Sequence, residues 1–185
     1  MCIRDSYELT AKDGGFRLTF DGLWSETTMW ELYSLSIINE LRTRANLKRL
    51  SEFGLDILYA KAKTKLWNKI ERLRGIPNLS VADFGTRRRH SFLWQEYAIN
   101  LARTALGYSF AGTSNTFLAY KHDMEAIGTN AHELPMALAA MAPDDDALKT
   151  AQYRVLELWQ QTYQGELLIM LPEDVYKRQI SSLGR

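Results

Sequence analysis

Cysteine is nearly absent from this 185-residue chain, because Cys2 is the only one, and no disulfide can form within the chain. No apolar run approaches the roughly 20 residues that span a bilayer, and the opening MCIRDSYELT lacks the apolar core of a signal peptide. A formal net charge of +1 gives no general attraction to nucleic acid or to anionic membranes. These absences predict a cytoplasmic protein in a reducing compartment, with neither nucleic acid nor membrane as a partner.

Several sequence signatures of catalytic sites are also missing. The chain has no G-x-x-x-x-G-K-[ST] loop, no G-x-G-x-x-G after a strand and no G-x-S-x-G elbow, so a classical nucleotide-binding fold is not indicated. The neighbours His122–Asp123 and His132–Glu133 lack the spacing that places two metal ligands on one helical face, so we predict no metal site built by the protein. The composition, 46% hydrophobic and 24% charged, is that of one globular domain or part of a larger one.

Two helical patterns precede residue 77. The first, within residues 25–45, places four apolar side chains on one face: Trp30, Tyr33, Ile37 and Leu41. The second, within residues 51–75, has a longer stripe: Leu55, Tyr59, Ala62, Leu66, Ile70 and Leu73. We expect Ser25 and Ser51 to be the N-caps, Gly75 to end the second helix, and both apolar faces to pack inward.

From residue 77 onward, strand-like runs alternate with helical ones. The strand-like runs are LSVAD (79–83), YSFA (108–111), AI (126–127) and ELLIML (166–171). The order β-α-β-α-β-α-β predicts an α/β fold with parallel strands and right-handed crossovers, and it does not separate an open sheet from a barrel.

A Gly-Thr pair follows each of the first three strand-like runs: Gly85-Thr86, Gly112-Thr113 and Gly128-Thr129. Gly-Thr is also a common dipeptide of turns and helix caps, so one copy would mean little. Loops after parallel strands open on one face, where glycine admits a ligand and threonine can cap the next helix. The three copies therefore predict one shared pocket, and the helix N-termini around it suit an anion.

The first of these loops, DFGTRRRH, carries Asp83, Phe84 and a run of three arginines, 87–89. Arginine binds phosphate or carboxylate with two hydrogen bonds, and a phenylalanine ring offers a flat face to another ring. The run could also be a solvated helix start, but three cations there oppose the helix dipole. We expect Arg87 to point into the pocket.

His132 lies three residues after Thr129, at the start of a helix. A lone histidine usually has a structural role. Its place in a strand-end loop beside the arginine loop favours a base, or a nucleophile toward phosphorus.

Three segments in this order resemble the bacterial nicotinate phosphoribosyltransferase family: VADFGTRRRHSFLWQ, FAGTSNTFLAYKHDMEAIGTNAHELPMALAAM and YQGELLIML. The resemblance runs from about Leu18 to Leu171. It implies a partial irregular α/β barrel of the type II phosphoribosyltransferase kind, preceded by helices. The implied reaction joins nicotinate to phosphoribosyl pyrophosphate, with Mg²⁺ present and ATP hydrolysis coupled through a phosphohistidine, in a protein that is a homodimer at full length.

Matching motif positions assign roles to single residues. The resemblance implies that His132 is the phosphohistidine, that Thr129 contacts nicotinate, that Arg87 holds its carboxylate or the pyrophosphate, and that Phe84 stacks on the pyridine ring. Ser114 and Asn115 would line the same pocket, and the neutral Ser114 would not repel the carboxylate of nicotinate as an acid would. Three further residues are expected to support the site: Asp83, Arg88 and Thr113.

The same resemblance divides the chain into four parts. Residues 1–17 form an N-terminal segment, 18–76 a helical segment that packs on the barrel, 77–171 the partial barrel with the site loops, and 172–185 a tail. MCIRDS and DVYKRQISSLGR do not continue the family pattern, so we expect both ends to be foreign in part and the chain alone to be an inactive central fragment.

Other interpretations stay open at this point. A relative that acts on nicotinamide or quinolinate would share most of the motifs. A nucleic-acid-binding module could use Arg87–Arg89, although that run is short and has no interleaved aromatic residues. A non-catalytic helical scaffold would leave the three Gly-Thr loops unexplained.

Overall fold

The computed structural model describes residues 7–130 and 132–164, and the chain divides into two units, Met1–Ile127 and Gly128–Arg185. The strands are β1 (Tyr7–Lys12), β2 (Gly15–Phe20), β3 (Val81–Asp83) and β4 (Phe110–Thr113). The helices are α1 (Trp24–Thr27), α2 (Trp30–Leu47), α3 (Glu52–Arg74), α4 (Phe92–Leu106), α5 (Thr116–Lys121), α6 (Glu133–Ala140) and α7 (Asp145–Tyr163). Within the described residues, no helix is long and apolar enough to cross a membrane.

An antiparallel hairpin of β1 and β2 opens the described chain. Its two-residue loop, Asp13 and Gly14, has φ angles of 49° and 76°, as a type I′ turn requires at both central positions. The Phe20 ring stacks on Trp30 with centroids 5.6 Å apart, which links the hairpin to α2. The hairpin was not expected from the sequence, which we interpreted here only as an N-terminal segment.

Helix α2 is present, but two predictions about it are wrong. Ser25 lies inside the single-turn α1 and caps nothing, since α2 begins at Trp30 after Met29. The predicted inward face is 37–59% exposed: Trp30, Tyr33, Ile37 and Leu41. The helix instead turns its polar side inward, where Asn39 and Glu40 bond to residues 87 and 92.

Helix α3 forms as its pattern predicts. The Ser51 hydroxyl accepts the Gly54 N–H at 3.1 Å, and Gly75 follows the last helical residue. The predicted stripe is the less exposed face of the helix, with Ile70 fully buried. Helix α3 packs against α4, which Ser91 caps by accepting the Trp94 N–H at 3.1 Å.

Strands β3 and β4 pair in parallel, with Asp83 opposite Thr113. The third predicted run joins them, because Ala126 bridges Thr113 in parallel and the Ile127 N–H donates to the Thr113 carbonyl at 3.0 Å. Strand β4 starts two residues later than predicted, since residues 107–109 form a 3₁₀ turn. Over the described residues the fold is mixed α/β, helix-rich with two small sheets and no closed barrel; the predicted run 166–171 lies outside them.

In the second unit, α6 packs against α7. Asp144 caps α7 by accepting the Ala147 N–H at 2.8 Å, and its place at the start of the run 144–146, all aspartate, is typical of a helix N-terminus. Ala151 and Val155 are buried on the predicted face of α7, whereas Leu148 is half exposed. Pro135 is buried in the first turn of α6, where its missing N–H costs little.

A polar network holds β3, β4 and α4 together. One oxygen of the Asp83 carboxylate accepts the Thr113 hydroxyl at 2.9 Å and the Gln95 side-chain N–H at 2.8 Å. Gln95 is only 4% exposed and lies on the inward face of α4, beside Ile99. The two strands and the helix therefore share one half-buried carboxylate as their fixed point.

Gly112 occupies a position that no other residue fits. Its φ of 147° is disfavoured for residues with a side chain. A Cβ at Gly112 would also meet the Glu125 carbonyl oxygen at 2.2 Å. This glycine allows the chain after α5 to lie against β4.

We predict that Gly112→Ala lowers the free energy of unfolding by about 3 kcal/mol, the upper part of the range for overpacking, because backbone would have to move. Urea denaturation followed by circular dichroism measures the change. Gly75→Ala is the control, since a Cβ there would find its nearest atom at 3.5 Å, and we expect a change within about 0.5 kcal/mol. Equal midpoints for the two variants would contradict this account of Gly112.

We predict that Gln95→Leu lowers the free energy of unfolding by about 1–3 kcal/mol, because a side chain of similar shape leaves its buried partners without their hydrogen bonds. Thr104→Ala on the same helix is the control, since its exposed hydroxyl donates only to the Asn100 carbonyl in the same helix. Urea denaturation followed by circular dichroism measures the free energy of unfolding of both variants. If Gln95→Leu were as stable as Thr104→Ala, the network would not hold the sheet.

Candidate functional site

The loops after β3 and β4 meet at their first residues. The Ser114 N–H donates to the Asp83 carbonyl at 2.8 Å, and the Asp83 carboxylate also accepts the Gly85 N–H at 3.1 Å. Phe84 leaves this junction with 47% of its surface exposed, and Ser114 is half-buried. The structure therefore brings the first two Gly-Thr loops together and leaves an aromatic face and a hydroxyl-bearing residue beside the junction.

Packing within the chain explains why glycine occupies positions 85 and 112 in these two loops. A Cβ at Gly85 would come within 2.8 Å of the Asp83 carboxylate, as one at Gly112 would of the Glu125 carbonyl. We had expected both glycines to admit a ligand. At Gly128 a Cβ would find no described atom within 4 Å, so this third glycine is the one without a packing reason.

The threonines of these loops support the junction and do not cap the following helices, contrary to our expectation. Thr113 is fully buried; its hydroxyl accepts the Asn115 N–H at 3.1 Å and donates to Asp83. Thr86 accepts a hydrogen bond from Gln95 at 3.0 Å. The caps are Ser91 for α4 and Asn115 for α5.

Asn115 is 9% exposed, and both ends of its amide are engaged within the protein. The oxygen accepts the Leu118 N–H at 3.1 Å, and the nitrogen donates to the Gln95 side-chain oxygen at 3.2 Å. These bonds fix the start of α5 relative to α4. Its predicted contact with the ligand stays a prediction.

The arginine run is held by carboxylates of α2. Arg87 pairs with Glu31 at 2.5 Å and keeps a third of its side chain exposed, while the Arg87 carbonyl accepts the Asn39 amide at 3.0 Å. Arg89 lies 3.6 Å from Glu40 and its guanidinium is 5.2 Å from the centre of the Phe92 ring. Arg88 is exposed.

Glu40 is a charged anchor for this loop. Burial alone would raise the pKa of Glu40, but hydrogen bonds from Arg44 and the Phe92 N–H, together with the nearby Arg89, hold that pKa below its ordinary value. Sequence reasoning missed Glu31, Asn39 and Glu40, because nothing in the sequence marks which polar residues of a helix meet a loop about fifty residues away.

Gln95 was also missed by sequence reasoning. Its side-chain nitrogen donates to Asp83 and Thr86, and its side-chain oxygen accepts a hydrogen bond from Asn115. The only signal for Gln95 in the sequence was a polar residue between apolar neighbours on α4. Such a residue more often faces solvent.

His132 and Thr129 lie in the second unit. His132 directly precedes α6, and its side chain is 44% exposed, with Nε2 3.4 Å from the Glu133 carboxylate. Thr129 is half-buried. That the third Gly-Thr loop joins the other two in one pocket stays a prediction.

No group of three or more histidine, cysteine or acidic side chains in residues 7–130 and 132–164 could hold a metal ion. His122, the other histidine beside an acid, is bound instead to the Glu96 carboxylate at 2.7 Å, which also binds Lys121 at 2.6 Å. The hydrogen bonds from Lys121 and His122 lower the pKa of Glu96. This cluster ties α4 to α5 and includes none of the candidate site residues.

Comparison with known proteins connects these features to a family. Residues 79–183 match the nicotinate phosphoribosyltransferase (NAPRTase) family. The match includes most of the tail 172–185, which we expected to depart from the family pattern; residues 165–185 lie outside the described part of the chain, and the origin of the tail stays a prediction.

Solved structures with the same fold include nicotinate phosphoribosyltransferases from two bacteria. The Vibrio cholerae protein is 30% identical with a TM-score of 0.67, and the match covers 89% of this chain and 38% of that one. The Porphyromonas gingivalis protein is 26% identical with a TM-score of 0.66, covering 88% and 39%. A putative nicotinate phosphoribosyltransferase from Saccharomyces cerevisiae is 27% identical with a TM-score of 0.62, covering 85% and 38%.

This chain thus spans less than two-fifths of the length of these solved proteins. The family match takes in more than half of the chain, including the junction of Asp83 and Ser114 and the histidine at 132. The chain belongs to the nicotinate phosphoribosyltransferase family.

Proposed function

We propose that this chain supplies part of the active site of an enzyme that joins nicotinate to phosphoribosyl pyrophosphate, giving nicotinate mononucleotide and pyrophosphate for NAD biosynthesis. The observation that carries the proposal is the junction of the β3 and β4 loops, which places exposed Phe84 and neutral Ser114 beside the same backbone contact in a member of this family. The complete enzyme would be a cytoplasmic homodimer.

Nicotinate would bind with its ring on Phe84 and its carboxylate at Arg87. The Phe84 face is available for stacking, since nearly half of the residue is exposed. Arg87 uses one N–H toward Glu31, and a guanidinium has five, so others can serve a second carboxylate. Ser114 would complete the polar side of this part of the pocket, with Asn115, Asp83 and Thr113 holding it in shape; the contact of Thr129 with nicotinate stays a prediction.

His132 would carry the phosphoryl group of ATP. A ring nitrogen attacks the γ-phosphorus, the bond to the ADP oxygen breaks, and water later releases phosphate from the imidazole. Glu133 is placed to orient the ring through Nε2, which leaves Nδ1 as the attacking nitrogen. The free N–H groups at the start of α6 favour the negative charge of the phosphoryl group.

The described residues fit a Mg²⁺ that arrives with its substrate better than a resident ion. They contain no cluster of three potential ligands, and the Asp83 carboxylate is occupied by three internal hydrogen bonds. Magnesium is commonly held by substrate phosphates and few protein groups. When bound there, it would neutralise charge on the departing pyrophosphate.

The basic-run alternative receives less support. A nucleic-acid surface at Arg87–Arg89 would rest on a run of only three cations in a chain of net charge +1, and Arg89 lies beside Glu40 of α2. Among the pyridine-specific alternatives, the neutral Ser114 favours a ligand that bears a carboxylate over nicotinamide.

We predict that incubation with γ-labelled ATP gives the full-length enzyme that contains this chain an acid-labile, base-stable label that disappears in His132→Ala. The label should persist in His122→Gln, which removes a histidine outside the proposed site. Acid and alkaline filter assays followed by scintillation counting measure it. Equal labelling of wild type and His132→Ala would exclude the phosphohistidine assignment.

We predict that Ser114→Asp weakens nicotinate binding about tenfold, an energy change of about 1.4 kcal/mol from repulsion between two partly solvated carboxylates. Nicotinamide binding should change little. Calorimetric titration with both pyridines gives the ratio of their dissociation constants. Ser114→Asn is the neutral control. A loss of affinity that is equal for both pyridines would show that Ser114 does not face the carboxylate.

A further inference from the structure

Four cations form an uncompensated row on α3: Lys61, Lys65, Lys69 and Arg72. They follow one another at spacings of four, four and three residues, so they share one face. No residue three or four positions from any of them is acidic, and like charges at this spacing destabilise a helix. The ion pairs found among the described residues include none of the four side chains. Arg72 lies in the last turn of α3, where the helix dipole favours a cation, but none of the described ion pairs explains the other three.

An aromatic cavity of about 310 Å³ opens beside this row, between α3 and the start of α4. Its lining is apolar and aromatic apart from two ammonium groups: Leu58, Tyr59, Ala62, Lys65, Leu66, Lys69, His90 and Trp94. The Tyr59, His90 and Trp94 rings lie with their centroids 5.9–6.3 Å apart. The Tyr59 hydroxyl lies 3.3 Å from His90 Nε2, which fixes this corner. Cavities of this size accept small ligands.

A second hollow, of about 790 Å³, runs along the same helix and shares Lys65 and Lys69 with the cavity. Its described lining belongs to α3 alone and includes all four cations of the row. The described lining is mostly apolar surface, so these cations contribute their aliphatic stems as well as their charged ends. Lys65 and Lys69 thus line the aromatic cavity and also belong to the row of cations.

We propose that this face of α3 binds a nucleoside diphosphate or triphosphate, with its base in the aromatic cavity and its phosphates along Lys65 and Lys69. A simple phosphate or an acidic peptide would leave the ring cavity unused, and an uncharged aromatic ligand would leave the cations unused. Single-stranded nucleic acid would require several stacking platforms along the row. The site uses none of the residues assigned to nicotinate or to phosphoryl transfer, and it does not depend on that assignment.

Photolabelling with 8-azido-ADP tests the proposal, because this probe has no γ-phosphate to transfer to His132. Peptide mass spectrometry should locate the label within residues 58–73 or 90–94. Excess ADP should protect these peptides, whereas adenosine alone and inorganic triphosphate alone should protect them at least about tenfold less well. Raising NaCl from about 50 to about 200 mM should weaken labelling, since exposed charges are screened.

The double variant Lys65→Gln/Lys69→Gln should lose about tenfold in affinity for ADP, as expected for two exposed charge contacts. Its thermal midpoint should stay the same or rise, because the variant removes repulsion within α3, so a loss of binding would not reflect unfolding. Lys149→Gln, an exposed lysine on α7, is the matched control and should bind as wild type does.

Four results would overturn the proposal. The label could fall only outside residues 58–73 and 90–94, or Arg87→Ala could abolish it, which would place ADP at the substrate site. Lys65→Gln/Lys69→Gln could retain full affinity. A single-stranded oligonucleotide could bind the row while ADP fails to compete, which would assign the face to nucleic acid.

Discussion

The Asp83 carboxylate sets the geometry of the candidate site. Taking a carboxylate out of water is costly unless its oxygens are bonded, and Asp83 satisfies this need with donors from three different places: the Gly85 amide, the Thr113 hydroxyl and the Gln95 amide. Each bond fixes one element, namely the loop after β3, the strand β4 and the helix α4. Because the donors are spread over the unit, the loops that carry Phe84 and Ser114 cannot move independently of its interior.

A second constraint comes from α2, which supports the arginine loop from the other side. Helix α2 presents Glu31, Asn39 and Glu40 to residues 87–92 through four hydrogen bonds or ion pairs. The consequence is an outward apolar stripe on α2, since a helix cannot turn both its polar and its apolar faces to the same neighbour. Tyr33, Ile37 and Leu41 lie on the opposite face of α2, which is more than half exposed among the described residues.

Local signals predicted local structure well. The caps Ser51 and Asp144, the stripe of α3 and the parallel order of the runs near 81, 110 and 126 follow from spacing and capping chemistry. The β1–β2 hairpin was also readable, because Asp13-Gly14 between alternating residues signals a type I′ turn, and it was overlooked. Gln95 and the inward polar face of α2 were not readable, because burial of a polar side chain depends on partners distant in sequence. The described residues do not form the partial irregular barrel implied by the resemblance, because they contain only two small sheets.

The pairing of Arg87 with Glu31 is suited to a binding group that must exchange partners. An ion pair with both side chains partly exposed is worth only about 0.2–1 kcal/mol, so an arriving carboxylate or phosphate loses little by sharing or displacing Glu31. A deeply buried pair would hold the guanidinium more firmly but would cost several kcal/mol to separate, as an order of magnitude for buried ions. Arg89, which is less exposed and lies over the Phe92 ring, is closer to that second case. The difference in exposure between the two arginines is the physical reason to assign ligand binding to Arg87 and a structural role to Arg89.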